Sequence, residues 1–248
     1  MAKMLSELGL TAKGARDVPV SGLAVDSREV QADMLFAALP GANVHGAAFI
    51  SYALRMGATA ILTDPEGAHI AADEIAEHGP AMVIVEDPRQ ALAYTAALWY
   101  GRQPEAMVAV TGTNGKTSVT NFTRQIWQLM GQRAINIGTT GVEGDWQTPS
   151  PNTTPEPITL HKMLCDAAAA DVTHGAMEAS SHGLSQRRLD GVRLMAAGFT
   201  NFTQDHLDYH ETFEAYFAAK AGLFTRVLSE DGVAVVNVDD AKGMDIET

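Results

Sequence analysis

The chain has 248 residues, of which 46% are hydrophobic and 19% charged, and this ordinary balance excludes a disordered, coiled-coil or collagen-like protein. Its 30 acidic and 17 basic residues give a formal net charge of −13, so no nucleic-acid partner is expected, because such a surface repels phosphate backbones. No apolar run approaches ~18 residues, which predicts no membrane insertion, and the lone Cys165 fits a reducing cytoplasm.

The alternation of short apolar runs with helical patterns predicts an α/β fold. The first part of the chain carries predicted strands over 34–39, 59–62 and 82–85 and a predicted helix over 49–56. The segment Glu86-Asp87-Pro88 is polar, follows a strand and ends in a proline that can open the next helix. We therefore place a domain boundary there, with a small α/β domain over 1–87 and a domain with a mostly parallel sheet over 88–248.

The second part of the chain repeats the alternation more clearly. Its predicted strands cover 107–110, 134–137, 176–177, 198–200 and 233–238, and its predicted helices cover 116–130, 157–170 and 211–228. In the helix over 116–130, an apolar stripe predicts the face that packs; the stripe consists of Val119, Phe122, Ile126 and Leu129. The sheet stops soon after its last strand, which indicates a domain that is cut short unless that strand is a genuine edge.

A glycine-rich loop lies between the strand over 107–110 and the following helix. Its residues are Thr111, Gly112, Thr113, Asn114, Gly115, Lys116, Thr117 and Ser118. Backbone N–H groups and a helix N-terminus in this position bind phosphate, Lys116 can reach the β- and γ-phosphates, and Thr117 can offer its hydroxyl to Mg²⁺. The usual pattern begins with glycine where this chain has Val110, so a plain strand–helix turn is the alternative. We interpret the loop as a nucleoside-triphosphate site.

Two polar clusters follow predicted strand ends, where ligands gather in open α/β sheets. Glu178 comes directly after Ala176-Met177 and is a candidate metal ligand, although a glutamate in this position is also common as a solvated loop residue. A second run, from Gln204 to His210, contains histidine and aspartate, which are metal ligands too. From the residues alone, however, His206 and His210 are better explained as the polar start of a helix.

Lys220 lies on an apolar helix face. It shares this face with Phe213, Phe217, Phe224 and Leu228. An ammonium in such a place must reach solvent along its stem, pair with an anion, or lose its charge. A neutral lysine is nucleophilic and can take up CO₂ as a carbamate, which would make Lys220 an anionic metal ligand.

Together these motifs resemble the Mur ligases and, within that family, the MurE-type UDP-N-acetylmuramoyl-tripeptide synthetases. Five segments carry the resemblance: Asp26-Ser27-Arg28, 111–118, 152–155, 177–184 and 200–210. The family's loop also lacks the first glycine, so Val110 agrees with it. The last two segments separate this subfamily from its sister ligases and from folylpolyglutamate synthases.

The resemblance implies a role for each matching residue. The uridine end of the substrate would be held by Val25, Ser27, Ala42, Asn43 and Val44. The muramoyl-dipeptide would be held by Asn152, Thr153, Thr154, Ser180, Gln186 and Arg188, with Arg28 and Arg187 as helpers. Thr117 and Glu178 would hold one Mg²⁺, and His206 and a carbamylated Lys220 a second. The catalytic set would be Lys116, Glu178, His206 and Lys220.

The activity that the resemblance implies is ATP-dependent amide bond formation. The D-glutamate carboxylate of UDP-N-acetylmuramoyl-L-alanyl-D-glutamate would attack the γ-phosphate of ATP, and the amine of a diamino acid would then displace phosphate from the acyl phosphate. Meso-diaminopimelate is the expected diamino acid, and L-lysine is the alternative. ATP and Mg²⁺ are the expected cofactors, and a monomer is the expected state.

The resemblance also implies that part of the ATP-binding domain and a C-terminal amino-acid domain lie beyond Thr248. The chain would then be a deliberate fragment or a truncated product, able to bind substrate but inactive alone. Two other classes stay open. One is a P-loop NTPase switch or kinase, against which Asp26-Ser27-Arg28 and the histidine run argue; the other is a binding module without ligase activity.

Overall fold

The computed structural model describes residues 2–150, 152–203, 207–210 and 212–246. The chain divides into two compact units, Met1–Trp99 and Tyr100–Thr248. Each unit contains a sheet that is wholly or mostly parallel, with helices between its strands, which confirms the predicted α/β class. Within the described part of the chain, no helix has the length and apolar character that crossing a membrane requires.

The first unit contains a parallel sheet of short strands. Its described strands are β1 (Lys3–Met4), β2 (Pro19–Val20), β3 (Leu23–Ala24), β4 (Leu35–Ala37), β5 (Ala60–Thr63) and β6 (Ala81–Ile84). Its helices are α1 (Ile50–Arg55), α2 (Pro65–Ile70), α3 (Ala72–His78) and α4 (Pro88–Tyr100). Strands β3, β4, β5 and β6 pair in that order and in parallel, whereas β1 pairs with β2 antiparallel. Because β4 and β5 are buried on both faces, their residues are apolar except for Thr63 at the end of β5.

The division between the units falls one helix later than the boundary placed at Pro88. Helix α4 belongs with the first unit, because its Leu92 and Ala96 are buried and the Thr95 hydroxyl donates to the Leu8 carbonyl at 3.3 Å. Pro88 does open a helix, as the sequence predicts. A proline at this position marks the start of a helix, however, and says nothing about which unit the helix packs on.

The second unit is built on a larger sheet. Its described strands are β7 (Ala106–Thr111), β8 (Ala134–Gly138), β9 (Gly141–Gly144), β10 (His174–Glu178), β11 (Leu194–Phe199) and β12 (Val233–Val236). Its described α-helices are α5 (Lys116–Leu129), α6 (Pro157–Ala169), α7 (Ser181–Ser185), α8 (Leu207–His210) and α9 (Phe213–Gly222). These strands pair in the order β12-β11-β7-β10-β8-β9, with β9 antiparallel to β8 and the other pairs parallel. The loops that follow β7, β8, β10 and β11 therefore leave the sheet at the same edge.

The apolar core of the second unit lies on one face of this sheet. Leu160 and Leu164 of α6 and Tyr216 of α9 are fully buried there, against Ile135 of β8 and Met177 of β10. Burial of such side chains stabilises the fold by about 1.5–3 kcal/mol each. Packing on this face therefore stabilises the sheet from whose strands the loops of the site extend.

Helix α5 packs on the sheet through the side opposite to the one predicted. The stripe of Val119, Phe122, Ile126 and Leu129 is exposed, with 60% of Phe122 and 89% of Leu129 accessible. The side that faces the sheet is polar instead: Thr120 is buried, and the Arg124 Nε donates to the Asn136 Oδ1 of β8 at 2.6 Å. Periodicity reveals an apolar stripe but does not say what covers it, so the predicted packing face was wrong.

The predicted helix over 211–228 consists of two shorter elements. Helix α9 begins at Phe213, because the Thr212 Oγ1 caps it by accepting the Ala215 N–H at 3.1 Å. A π-helical turn over Leu223–Val227 then ends with the Leu228 N–H donating to the Leu223 carbonyl at 2.9 Å. Glu211, where the prediction began, lies outside the described residues.

Candidate functional site

The glycine-rich loop connects the end of β7 to the start of α5, as the sequence predicts. Gly112 and Gly115 have φ values of +134° and +88°, which L side chains rarely adopt. A Cβ on Gly112 would also lie 2.0 Å from the Thr200 Oγ1. Both glycines are therefore required by the loop's backbone, whose N–H groups precede the N-terminus of α5.

Two lysine ammonium groups lie at the same loop carbonyl. The Lys116 Nζ donates to the carbonyls of Gly112 and Thr113, each at 2.9 Å, and the Lys220 Nζ donates to the Gly112 carbonyl at 2.8 Å. Lys220 is only 1% exposed, and its Nζ lies 4.5 Å from the centroid of the Tyr216 ring. Lys220, which the sequence places on an apolar helix face, thus contacts the glycine-rich loop.

The Glu178 carboxylate is held at the end of β10. Its Oε1 accepts the Thr117 hydroxyl and the Thr139 N–H, each at 3.0 Å, and the residue is 2% exposed. A Cβ on Gly138 would lie 2.0 Å from the same oxygen, so the neighbouring strand leaves space for the carboxylate only because residue 138 is glycine. The alternative of a solvated loop residue does not hold for Glu178.

A cavity of about 320 Å³ joins these groups at the carboxyl edge of the sheet. Its lining includes the predicted residues Thr113, Asn114, Gly115, Lys116, Thr117, Thr153, Glu178, Ser180 and Lys220. Ser118 is exposed on the outer side of α5. Hydroxyl and carboxylate oxygens together with ammonium groups suit a phosphate ligand that carries a hard cation.

The other residues expected to hold the muramoyl-dipeptide form a hydrogen-bonded chain. The buried Thr154 contacts the Ser180 Oγ at 3.0 Å, and its carbonyl accepts the Arg188 Nη1 at 2.6 Å. The Arg188 Nη2 donates to the Gln186 Oε1 at 2.8 Å, and the Gln186 Nε2 donates to the Tyr209 hydroxyl at 3.1 Å. Asn152 is exposed, and its carbonyl accepts the Ser150 hydroxyl.

The histidine run is described only in part. His206 lies outside the described residues, so its predicted role as a metal ligand stays a prediction. His210 ends α8 and is buried, with its ring centroid 5.3 Å from that of Tyr216. Over the described positions, no three His, Cys, Asp or Glu side chains form a ready metal cluster.

The first unit has a cavity of its own, of about 640 Å³. It is lined by Val25, Asp26, Ser27, Arg28, Phe36, Ala37, Leu39, Val44, Gly46, Phe49 and Tyr52. Of the residues expected to hold uridine, Val25, Ser27 and Val44 thus lie together, whereas Ala42 and Asn43 lie exposed on the loop before Val44. Hydrogen bonds from Arg28 lower the pKa of the Asp26 carboxyl to about 2, so this wall of the cavity stays ionised at neutral pH.

Several residues of the second-unit site were given no role from the sequence, although three of them lie in the segments 177–184 and 200–210 that carry the resemblance. Thr139 and Ser181 line its cavity, and the buried Ser181 Oγ has no hydrogen-bond partner among the residues that the structure describes. Thr200 and Asn201 hydrogen-bond to the glycine-rich loop. Their position after β11 was a usable signal, because the carboxyl ends of parallel strands meet at one edge.

The parallel sheet, the glycine-rich loop and the helix that follows it define a P-loop protein of the α/β class. A model described as "Mur ligase middle domain" matches residues 110–247, which is more than half of the chain, and one described as "Mur ligase family, catalytic domain" matches residues 19–100. The chain belongs to the Mur ligase family.

Two curated relatives share one name. Proteins named UDP-N-acetylmuramoyl-L-alanyl-D-glutamate–2,6-diaminopimelate ligase are 50% identical over 91% of this chain in Brucella melitensis and 48% identical over 96% of it in Caulobacter vibrioides. These matches cover 45% and 49% of the relatives. The chain spans about half the length of the curated relatives it matches.

Solved structures agree with the family. A structure of a UDP-N-acetylmuramoyl-L-alanyl-D-glutamate–2,6-diaminopimelate ligase superposes with a TM-score of 0.82 at 32% identity, over 99% of this chain and 49% of that one. MurF from Acinetobacter baumannii gives a TM-score of 0.62 at 17% identity, over 99% of this chain and 51% of that one. The second match shows the shared fold alone.

Proposed function

We propose that the chain supplies the uridine-binding and ATP-binding parts of an ATP-dependent ligase, which adds a diamino acid to UDP-N-acetylmuramoyl-L-alanyl-D-glutamate. The observation that carries the proposal is the cavity in which Lys116, Thr117, Glu178 and Lys220 meet. The name shared by the relatives favours 2,6-diaminopimelate over lysine as the diamino acid. By the same family resemblance we propose a monomer that acts in the cytoplasm.

ATP is the proposed occupant of the glycine-rich loop. The main-chain N–H groups from Gly115 to Thr117, at the start of α5, would bind its phosphates, because those of Thr113 and Asn114 already donate to Asn201. The Lys116 ammonium now donates to two loop carbonyls, and it would turn from them to the β- and γ-phosphates. Phosphoryl transfer needs mainly positioning and neutralisation of charge, which these groups provide.

Mg²⁺ fits the oxygen pair formed by Thr117 and Glu178. A hydroxyl and a buried carboxylate oxygen 3.0 Å apart are hard donors on the cavity wall, and Mg²⁺ usually takes one or two protein oxygens besides phosphate and water. When bound, the ion would neutralise charge between the β- and γ-phosphates. His206 and a carbamate on Lys220 are the proposed holders of a second Mg²⁺.

Substrate groups are assigned to each unit separately. In the first unit, the cavity that contains Val25, Ser27 and Val44 would hold the uridine end, with Ala42 and Asn43 on the adjoining loop. In the second unit, Thr153 and Ser180 would meet the muramoyl-dipeptide at the cavity wall, and Thr154, Gln186 and Arg188 would orient it; Asn152 completes the set. The D-glutamate carboxylate would then attack the γ-phosphate and release ADP, and an amine would attack the resulting acyl phosphate and release inorganic phosphate.

A chain of this length is proposed to bind both ligands without completing ligation, because the relatives that bear the ligase name are about twice as long. Calorimetry with UDP-N-acetylmuramoyl-L-alanyl-D-glutamate tests the binding half. We expect saturable binding that Ser27→Ala weakens by about 1 kcal/mol, which is the contribution of one hydrogen bond. Ser21→Ala is the matched control, because the Ser21 hydroxyl donates to the Ala32 carbonyl outside the cavity lining.

Mass spectrometry of the same mixture with Mg·ATP and diaminopimelate tests the other half. We expect no tripeptide product from the 248-residue chain. Product formation would contradict the proposal that the chain only binds. A lack of substrate binding, or equal losses in both serine variants, would contradict the uridine assignment.

Lys220 is expected to carry a carbamate when Mg²⁺ and ATP are bound. The amine is buried beside the Tyr216 ring, and a carbamate would exchange its positive charge for oxygens that hard cations prefer. We expect ¹³C-bicarbonate to give one carbamate signal by NMR in the Mg·ATP-bound chain, and acidic, CO₂-free buffer to remove it. The signal should be lost in Lys220→Ala and kept in Lys162→Ala, which alters an exposed lysine paired with Asp166. If the Mg·ATP-bound chain gives no carbamate signal, the proposed carbamate on Lys220 is contradicted.

A further inference from the structure

The segment over 200–203, which follows β11, forms hydrogen bonds with the glycine-rich loop. The Thr113 N–H donates to the Asn201 carbonyl at 2.8 Å, and the Thr203 N–H donates to the Thr113 Oγ1 at 2.9 Å. The Thr200 hydroxyl donates to the Asn114 carbonyl at 2.7 Å. These contacts join two loops that are about ninety residues apart in the chain.

Asn201 contacts the peptide groups of Asn114 on both sides. Its Oδ1 accepts the Asn114 N–H at 3.0 Å, and its Nδ2 donates to the Asn114 carbonyl at 3.1 Å. One amide side chain thus satisfies a donor and an acceptor of the same loop residue. A side chain without both functions cannot reproduce this pairing.

Thr200 also occupies the space that Gly112 leaves open. Its Oγ1 lies 2.0 Å from the position that a Cβ on Gly112 would take, and its Cγ2 lies 3.9 Å from the corresponding position at Gly115. The two glycines have positive φ values, so the loop has many alternative conformations when nothing holds it. Contacts from a neighbouring strand end would restrict it to one.

We propose that Thr200 and Asn201 are positioning residues that hold the glycine-rich loop in its phosphate-binding conformation before nucleotide arrives. They act through the backbone of Gly112, Thr113 and Asn114 rather than by touching nucleotide. The proposal rests on the proposed ATP site. A loop that is already ordered loses less conformational entropy on binding, so its nucleotide affinity is higher.

Hydrogen exchange in the nucleotide-free chain, followed by NMR, tests the loop directly. Asn201→Ala removes the acceptor of the Asn114 N–H but keeps the main-chain carbonyl that accepts the Thr113 N–H. We expect exchange of the Asn114 amide to accelerate about tenfold, while the Thr113 amide changes much less. Unchanged exchange at Asn114 would overturn the proposal.

Calorimetric titration with Mg·ATP tests the consequence for binding. We expect Asn201→Ala and Thr200→Val each to weaken binding about fivefold or more, as one lost hydrogen bond would. Thr200→Ser keeps the hydroxyl and should restore most of the affinity. Thr123→Val is the matched control, because its hydroxyl donates to the Val119 carbonyl on the exposed side of α5. The melting temperature and UDP binding should not change.

Equal Mg·ATP affinities in Thr200→Val, Thr200→Ser and Thr123→Val, with unchanged affinity in Asn201→Ala, would overturn the positioning role. A failure of the unsubstituted chain to bind Mg·ATP would contradict the proposed function and overturn the nucleotide half of this proposal. The exchange rates decide the loop half in either case, so the two failures are distinguishable.

Discussion

Replacing Lys116 by alanine should remove most of the affinity for Mg·ATP while leaving the fold intact. The ammonium is only partly buried and opens α5, so its loss costs no core packing. Charge-assisted hydrogen bonds to phosphate contribute about 1.5–3 kcal/mol, which corresponds to a loss of about tenfold to a hundredfold. Isothermal titration calorimetry measures the change, and the melting temperature shows whether the fold is kept.

Lys162→Ala is the control for the Lys116 experiment. It removes an exposed lysine that pairs with Asp166 at 2.6 Å, so it changes net charge equally but lies outside the cavity lining. Its Mg·ATP affinity should match that of the unsubstituted chain. Equal affinities in Lys116→Ala and Lys162→Ala would show that the glycine-rich loop does not bind nucleotide.

Replacing Glu178 by glutamine should change the metal dependence of nucleotide binding. With Mg²⁺ present, loss of the carboxylate should weaken ATP binding about tenfold or more, because a neutral amide is a poorer Mg²⁺ ligand. Without Mg²⁺, the same change should strengthen ATP binding, because a buried negative charge no longer faces the phosphates. The ratio of the two affinities, measured by calorimetry with and without EDTA, separates a metal ligand from a merely structural carboxylate.

Gly138→Ala provides a second route to the same site. The new Cβ would lie 2.0 Å from the Glu178 Oε1 and would displace the carboxylate without removing it. It should therefore reduce the Mg²⁺ effect as Glu178→Gln does. Gly198→Ala is the matched control, because a Cβ there meets the Val110 side chain at an ordinary 3.5 Å. A Mg²⁺ effect that survives both Glu178→Gln and Gly138→Ala would contradict the metal assignment.

Much of the fold follows from patterns that are local in the chain. The strand over 107–110 carries a continuous apolar run, and the strand over 134–137 carries one that only Asn136 interrupts, because parallel strands are buried on both faces; both are present as β7 and β8. The glycine-rich loop was predictable for a similar reason, since backbone positions with positive φ values favour glycine, and these positions precede the start of a helix.

Features that depend on distant partners could not be predicted in the same way. The apolar stripe of α5 predicts a packed face, yet the sheet meets the polar side through Arg124 and Asn136. The placement of α4 on the first unit likewise depends on Leu8 and other residues distant in sequence. Periodicity gives the direction of a face within a helix but not its partner.

The candidate site shows the same limit. Lys116 and Glu178 were singled out by type and position, but Gly138 and Asn201 act only through what lies against them across the sheet edge. The uridine loop offers a further case: Ala42, Asn43 and Val44 are all exposed, but of these three Val44 alone lines the cavity. Residue types alone do not distinguish these neighbours.

The most direct test of the account is a double titration of the unsubstituted chain. Mg·ATP and UDP-N-acetylmuramoyl-L-alanyl-D-glutamate are each titrated alone and then in the presence of a saturating amount of the other, with calorimetric detection. We expect both ligands to bind at once, Lys116→Ala to weaken only the first by about tenfold to a hundredfold, and Ser27→Ala to weaken only the second. Absence of Mg·ATP binding, or displacement of one ligand by the other, would contradict it.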